Sequence, residues 1–302
     1  MSSKYHYKAF GLSIGSDIEF PELLRLNTGE IPDVIIRQGA VPDTLEAPLK
    51  NGIRYQAKQD QLLLNLDGIA RFHVRCGNRV TVAKAAGAKD KDVRAILLGS
   101  VFGALIHQRA LLPMHASSIR VKDGCVMFCG ASGSGKSTIA NTLVRRGYRL
   151  NADDITVVST GERSQPLVYP GYPAFKLWED ALMKSGENPG FHSRLRAPLK
   201  KYLVPVTQDF NQDALPVRKV YVLLPHNKDT IAIEGLKGIQ KFAAVQHQTY
   251  KPKFVKFMKS GKNYFQTVST VSSQVSVSTV HRPITPFLPD RLADILEEDF
   301  SR

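Results

Sequence analysis

Short alternations of apolar and polar positions fill the first part of the chain, and they predict strands. Val34 to Arg37, Gln61 to Leu66, Ala70 to Arg75 and Arg79 to Val82 are rich in branched aliphatic residues. Turn pairs at Asn51-Gly52, Asp67-Gly68 and Gly77-Asn78 punctuate them. The run Lys84 to Asp92 holds only small and charged residues, so the boundary of a β-rich N-terminal domain is expected near residue 90. The period then changes. Val93, Ile96, Leu97, Val101, Leu105 and Ile106 recur at helical spacing, which predicts a helix from about Asp92 to His107.

Beyond residue 112 strands and helices alternate. Ala116 to Val121 and Cys125 to Cys129 read as a hairpin turning at Asp123-Gly124. Ile139, Ala140, Leu143 and Val144 mark a helix running to about Arg146, with Gly147 just past its end, where a positive φ is wanted. Ile155 to Val158 and Val220 to Leu224 read as strands, and so does the Ser/Thr/Val-rich stretch Gln266 to Val280. A last helix starts near Pro289 and carries Leu292, Ile295 and Leu296 on one face. The expected class is α/β (α+β overall), with a β-rich domain over 1–90 and a second domain over 91–302.

Composition narrows the function classes. With 302 residues, 43% hydrophobic and 23% charged, the chain suits an ordinary globular protein and excludes a disordered or collagen-like one. No apolar run approaches the roughly 20 residues of a membrane span, and the first residues lack the apolar core of a secretory signal. Three cysteines (Cys76, Cys125 and Cys129) give no disulfide framework, so a cytoplasmic location is expected. The net charge of +14 is uneven, because residues 1–90 are almost neutral. Two later runs are basic: Arg194, Arg196, Lys200 and Lys201, then Lys251, Lys253, Lys256, Lys259 and Lys262. Neither has the zinc-ligand spacing or motif of a nucleic-acid reader, so no nucleic-acid and no membrane partner is expected. Phe254, Val255, Phe257 and Met258 interleave with the second run, which reads as a partly buried segment with its lysines facing out. Trp178 reads as core or as a wall of an acceptor groove.

Chemistry enters with Gly130-Ala131-Ser132-Gly133-Ser134-Gly135-Lys136-Ser137, which satisfies the phosphate-loop pattern G-x-x-x-x-G-K-[ST]. Its glycines let successive backbone N–H groups turn inward around an anion. The helix that follows adds its unpaired N–H groups and dipole. Gly130, Ser132, Gly133, Ser134, Gly135, Lys136, Ser137 and Thr138 are therefore the candidate ATP-binding residues. Lys136 suits the β/γ-phosphate oxygens, and the Ser137 hydroxyl suits Mg²⁺. Asp153 and Asp154 follow Lys136 by only 17 and 18 positions, at the mouth of the next strand. Phosphoryl transfer to a hydroxyl needs one carboxylate for Mg²⁺ and another to orient the nucleophile, and two adjacent acids supply both. His115, by its residue type alone, reads first as a core histidine.

Together, Met114-His115, Gly130 to Ser137, Arg145-Arg146-Gly147 and Asn151-Ala152-Asp153-Asp154 resemble the HPr serine kinase/phosphorylase family. That family shares its nucleotide core with ATP-dependent phosphoenolpyruvate carboxykinase. The resemblance implies a phosphate-loop kinase core, with ATP and Mg²⁺ as cofactors. It implies catalytic roles for Lys136 and His115, Asp153 as general base, and Asp154 with Ser137 on the metal. Ala131 stands where the family carries an aspartate, and the glycine-rich signature that supports HPr recognition is absent. Tyr7 to Leu12, Phe20-Pro21-Glu22-Leu23, Gln108-Arg109 and Lys176-Leu177-Trp178 are similar to the short HPr-kinase-like proteins, some of which phosphorylate a serine of a lasso-peptide precursor. This implies a peptide or small-protein acceptor rather than HPr. A small-molecule kinase and a non-enzymatic ATP sensor remain the alternatives, and the sequence leaves homo-oligomerisation open.

Overall fold

The computed structural model describes residues 3–301 apart from 28–30, 161–164, 197–198, 207 and 259–260. Lys259 of the second basic run and the side chain of Arg196 therefore lie outside the described residues. The chain divides into two compact units: residues 1–113 with 250–265, and residues 114–249 with 266–302.

Among the described residues, the first unit has nine strands. They are β1 (Tyr5–Ala9), β2 (Leu12–Ser16), β3 (Leu24–Arg25), β4 (Val34–Gln38), β5 (Lys50–Asn51), β6 (Tyr55–Lys58), β7 (Gln61–Leu66), β8 (Ala70–Arg75) and β9 (Arg79–Lys84). They form one sheet in the order β3-β1-β2-β4-β9-β8-β7-β6-β5. In β9 the alternation is an alternation of burial: Val80 and Val82 are buried while Arg79, Thr81 and Ala83 are not. The predicted helix spans α1 (Asp90–Ile96), a π-helical turn over Leu97–Val101, and α2 (Phe102–Gln108). Its apolar face belongs with these strands, and the Phe10 and Phe102 ring centroids lie 5.2 Å apart. The unit consequently ends at Pro113 rather than near residue 90; the small and charged run at 84–92 is only a surface connection. Residues 250–265 return to the same unit with Phe254 and Met258 buried and Lys251, Lys253, Lys256 and Lys262 exposed.

His107 is fully buried in α2, and its Nε2 donates to the Tyr250 carbonyl at 2.8 Å. Burial pushes its pKa down to about 4. The unfolded chain therefore takes up this proton first, so the stability that goes with neutral His107 is complete above pH 6.5 and drains as pH falls towards 4. The loss levels off at about 3 kcal/mol. Thermal denaturation across pH 4–7 is expected to show this slope, and His107→Gln is expected to flatten it.

The division between the units falls within β10 (Leu112–Met114). The second unit's main sheet contains β11 (Ala116–Val121), β12 (Gly124–Cys129), β13 (Arg149–Ala152), β14 (Thr156–Thr160) and β15 (Pro166–Tyr169). A three-stranded sheet of β16 (Ala174–Trp178), β17 (Ser193–Arg196) and β18 (Leu199–Pro205), ordered β16-β18-β17, sits beside α4 (Glu179–Lys184). The main sheet is completed by β19 (Leu215–His226), β20 (Ala232–Gly235) and β21 (Ser276–Pro283). In it β12 and β21 both pair parallel to β19, and β11 lies antiparallel between β12 and β13. The carboxyl ends of β12, β13 and β21 and the amino end of β11 therefore meet at one edge, where ligands bind in parallel sheets of this kind.

Helices α3 (Lys136–Arg145), α5 (Ile239–His247) and α7 (Pro289–Ser301) also belong to this unit, the last beginning where the sequence placed it. Arg146, at the end of α3, pairs with Asp290, Asp294 and Glu297 at 3.3, 2.7 and 2.5 Å. One expectation is corrected. The stretch from Gln266, read as strand, continues α6 (Gly261–Gln274), and β21 starts only at Ser276. Tyr264, Val268, Val271 and Val275 are buried at helical spacing, so the burial period overrides the β-branched composition.

Candidate functional site

The loop leaves the carboxyl end of β12, a strand buried along its whole length. Gly130 has φ +139°, and a Cβ there would come within 2.6 Å of Ser134 Oγ and 2.8 Å of the Leu223 carbonyl. Gly135 caps α3 in the left-handed region at φ +98°. The loop therefore cannot carry side chains at these points, as a backbone anion cradle requires. Ala131, Ser132 and Gly133 form its exposed crest, and Ser134 Oγ is buried with no hydrogen-bond partner among the described residues.

Lys136 is 6% exposed, and its ammonium donates to the Gly130 and Ala131 carbonyls at 2.9 and 3.0 Å. Burial lowers its pKa, while Asp153 and Asp154 act in the opposite sense. No carboxylate among the described residues pairs directly with it, so the charge stays available to an anion in the cradle.

The two aspartates part company. Asp153 is buried: Oδ1 accepts from Ser117 Oγ at 2.6 Å, and Oδ2 accepts from the Lys176 backbone N–H at 2.7 Å. This carboxylate ties β11 to β16 and is not part of the cavity wall. Asp154 takes a left-handed conformation, φ 68°, uncommon for a residue other than glycine, and it does face the cavity. Its Oδ2 accepts from Lys176 Nζ at 2.8 Å, and Oδ1 lies 4.0 Å from Lys201 Nζ. Burial alone would raise its pKa, but the ammonium groups of Lys176 and Lys201 outweigh that and hold the carboxyl well below its usual range. His115 Nδ1 lies 3.1 Å from the Asp154 carbonyl, which can only accept, so Nδ1 carries the proton. Burial, then nearby Lys136, lowers the His115 pKa and favours the neutral ring, whose Nε2 is then the acceptor nitrogen.

Around these groups is a cavity of about 340 Å³. Its wall carries five cations (Lys136, Lys176, Lys184, Lys201 and Arg282) against two acids (Asp154 and Asp180), so it favours a polyanion. Ser132, Gly133, Gly135, Ser137 and Thr138 line it; Gly130 and Ser134 sit behind the crest. Ser137 and Asp154 are the wall residues suited to a divalent cation. The described residues hold no cluster of three or more His, Cys, Asp or Glu fit for a metal. An Mg²⁺ ion here would take most of its ligands from phosphate and water, as Mg²⁺ commonly does. Of the basic run, Lys201 reaches the cavity, while Lys200 pairs with Glu179 and Arg194 Nε donates to the Leu199 carbonyl. Trp178 is a wall rather than core: it is 37% exposed, with Lys201 Nζ 5.8 Å from its ring centroid.

Sequence reasoning missed Arg282. It is 4% exposed at the end of β21, its Nε and Nη2 donate to the Ser134 carbonyl at 2.9 and 2.6 Å, and it stacks 4.0 Å over Phe287. It braces the loop from behind. The tripeptide His281-Arg282-Pro283 carries no motif that would reveal it.

No protein-family model and no curated protein matches the chain. Among solved structures it is similar to the Hpr(Ser) kinase/phosphatase from Coxiella burnetii, at 13% identity and a TM-score of 0.32, over 62% of this chain and 89% of that one.

Proposed function

We propose that this chain is a Mg-ATP-dependent kinase that transfers the γ-phosphate to a serine hydroxyl of a peptide or small protein. The observation that carries the reading is Lys136, a buried ammonium in a glycine-rich loop, facing one cavity with the ionised Asp154. ATP supplies the phosphoryl group, and Mg²⁺ offsets phosphate charge. The loop N–H groups would hold the phosphates, with Ser137 and Asp154 toward the metal. Lys136 would exchange its two carbonyl partners for phosphate oxygens. Lys176 and Lys201 hold Asp154 ionised and add positive charge where negative charge moves in transfer. Neutral His115 stands beside Asp154 as the proton acceptor for an incoming hydroxyl. Asp153 acts through others by fixing Ser117 and the β16 backbone. The open Trp178 and Lys201 wall suits a chain-like acceptor.

The test incubates the protein with Mg-ATP and serine-containing peptides encoded beside its gene, then reads intact masses. A gain of about 80 Da on one peptide, with wild type and not with Asp154→Asn, is expected. ATP binding without transfer to any peptide would overturn the peptide-kinase reading in favour of a small-molecule kinase or a sensor.

A further inference from the structure

The polar face of α3 continues past the loop. Thr138, Asn141, Thr142 and Arg145 recur at i, i+3, i+4 and i+7, so they share one side of the helix. They line a second cavity of about 480 Å³, whose other walls include Leu177, Ala181 and Pro289. Thr138, Leu177, Ala181 and Lys184 belong to both cavities, so the second opens off the first at the start of α3.

Asn141 is the residue in need of explanation. It is 7% exposed, yet its side-chain amide hydrogen-bonds to no protein group among the described residues. A primary amide brings two donors and one acceptor. Leaving such groups unpaired in a protein interior is unfavourable, and asparagine is also a poorer helix former than leucine at such a position. The amide lines the second cavity, so its partner there is water or a ligand that displaces the water.

We infer that this second cavity receives the nucleoside of the phosphate donor, an adenosine, with Asn141 hydrogen-bonded to the edge of its base. The inference rests on the proposed nucleotide-dependent reaction and adds to it the residue that reads the base. Three observations converge. Lys136 and Asp154 mark the end of the first cavity where phosphate is transferred, while the second cavity begins at Thr138, in the first turn of α3. Its volume lies in the range of about 300–1,000 Å³ typical of small-molecule sites, and Leu177, Ala181 and Pro289 give it apolar walls for a flat ring. The Asn141 amide matches adenine, with Oδ1 accepting from the exocyclic amine and Nδ2 donating to N7. Arg145, whose Nη1 donates to the Ser185 carbonyl at 2.5 Å, holds a planar cation at the rim.

Calorimetric titration of the full chain with Mg-ATP, Mg-GTP and Mg-tripolyphosphate tests this. Wild type is expected to bind ATP at least about 10-fold more tightly than GTP or tripolyphosphate. Asn141→Leu, close in volume, is expected to lose about 10-fold or more in ATP affinity while binding tripolyphosphate as wild type does. Thr142→Trp, which fills the second cavity without touching the first, is expected to do the same and decides the matter should Asn141→Leu misfold. ATP binding unchanged in both variants, or equal wild-type affinity for ATP and tripolyphosphate, would overturn the nucleoside site and leave the phosphate loop intact. Equal affinity for ATP and GTP would overturn the adenine assignment. Wild type that binds none of the three would overturn the nucleotide reading itself, and this inference with it.

Discussion

Lys136→Met is expected to reduce phosphate transfer by at least about 10³-fold and to abolish detectable Mg-ATP binding at micromolar nucleotide. The ammonium sits in a nearly water-free position, where a charge acts on a bound anion far more strongly than in water. Methionine retains the stem and loses only the charge and the donated hydrogen bonds. The melting temperature should move little. Without the lysine, the Gly130 and Ala131 carbonyls lose a partner, but the desolvation of a buried ammonium is relieved as well. Turnover assays and nucleotide titration alongside a melting curve check both halves. Full binding by the folded variant would remove the loop from the reaction.

Asp154→Asn is expected to lower transfer by about 10²-fold or more, and Asp153→Asn by much less. The contrast follows from where each carboxylate spends its oxygens. An asparagine at 153 can still accept from the Lys176 N–H with its oxygen, and its amide can donate to Ser117, whose hydroxyl turns round to accept. An asparagine at 154 removes the carboxylate charge that Lys176 and Lys201 face and that lines the cavity. The pH dependence supplies a second readout. Because the folded-state pKa of Asp154 is depressed, its contribution to stability is complete above the ordinary carboxylate value and is lost as pH falls below about 4. Asp154 therefore adds no acid limb to kcat/KM between pH 5 and 8. A limb in that range belongs to His115, with activity falling as the ring protonates below its ordinary value of 6.5. Equal losses from the two asparagine variants would refute the division of labour.

Local sequence revealed what local sequence encodes. The glycine pattern fixed the loop, because each glycine there answers a backbone need. The Asp153-Asp154 pair was legible because its strand follows α3 directly. Which of the two faces the cavity was not legible, since that depends on Ser117 and Lys176 closing over Asp153 from other elements. Arg282 and Asn141 were missed for the same reason: their meaning lies in what the fold leaves them beside. The strand reading from Gln266 failed because Val268 and Val271 carry β-branched chemistry on a helical burial period. The expected boundary near residue 90 failed because polar composition marks a surface turn as readily as a domain edge.

The division of the chain has a consequence for its synthesis. Residues 250–265 of the first unit emerge from the ribosome only after all of 114–249. The first unit therefore cannot close over Phe254 and Met258 until the segment carrying the loop and both aspartates has been made. The second unit waits longer still, for β21. Both must finish late, with incomplete apolar surfaces exposed to chaperones and proteases in the interval. A chain cut to begin at Met114 would keep Phe254 and Met258 and lose the strands of their unit, so neither unit can be shed by a single break.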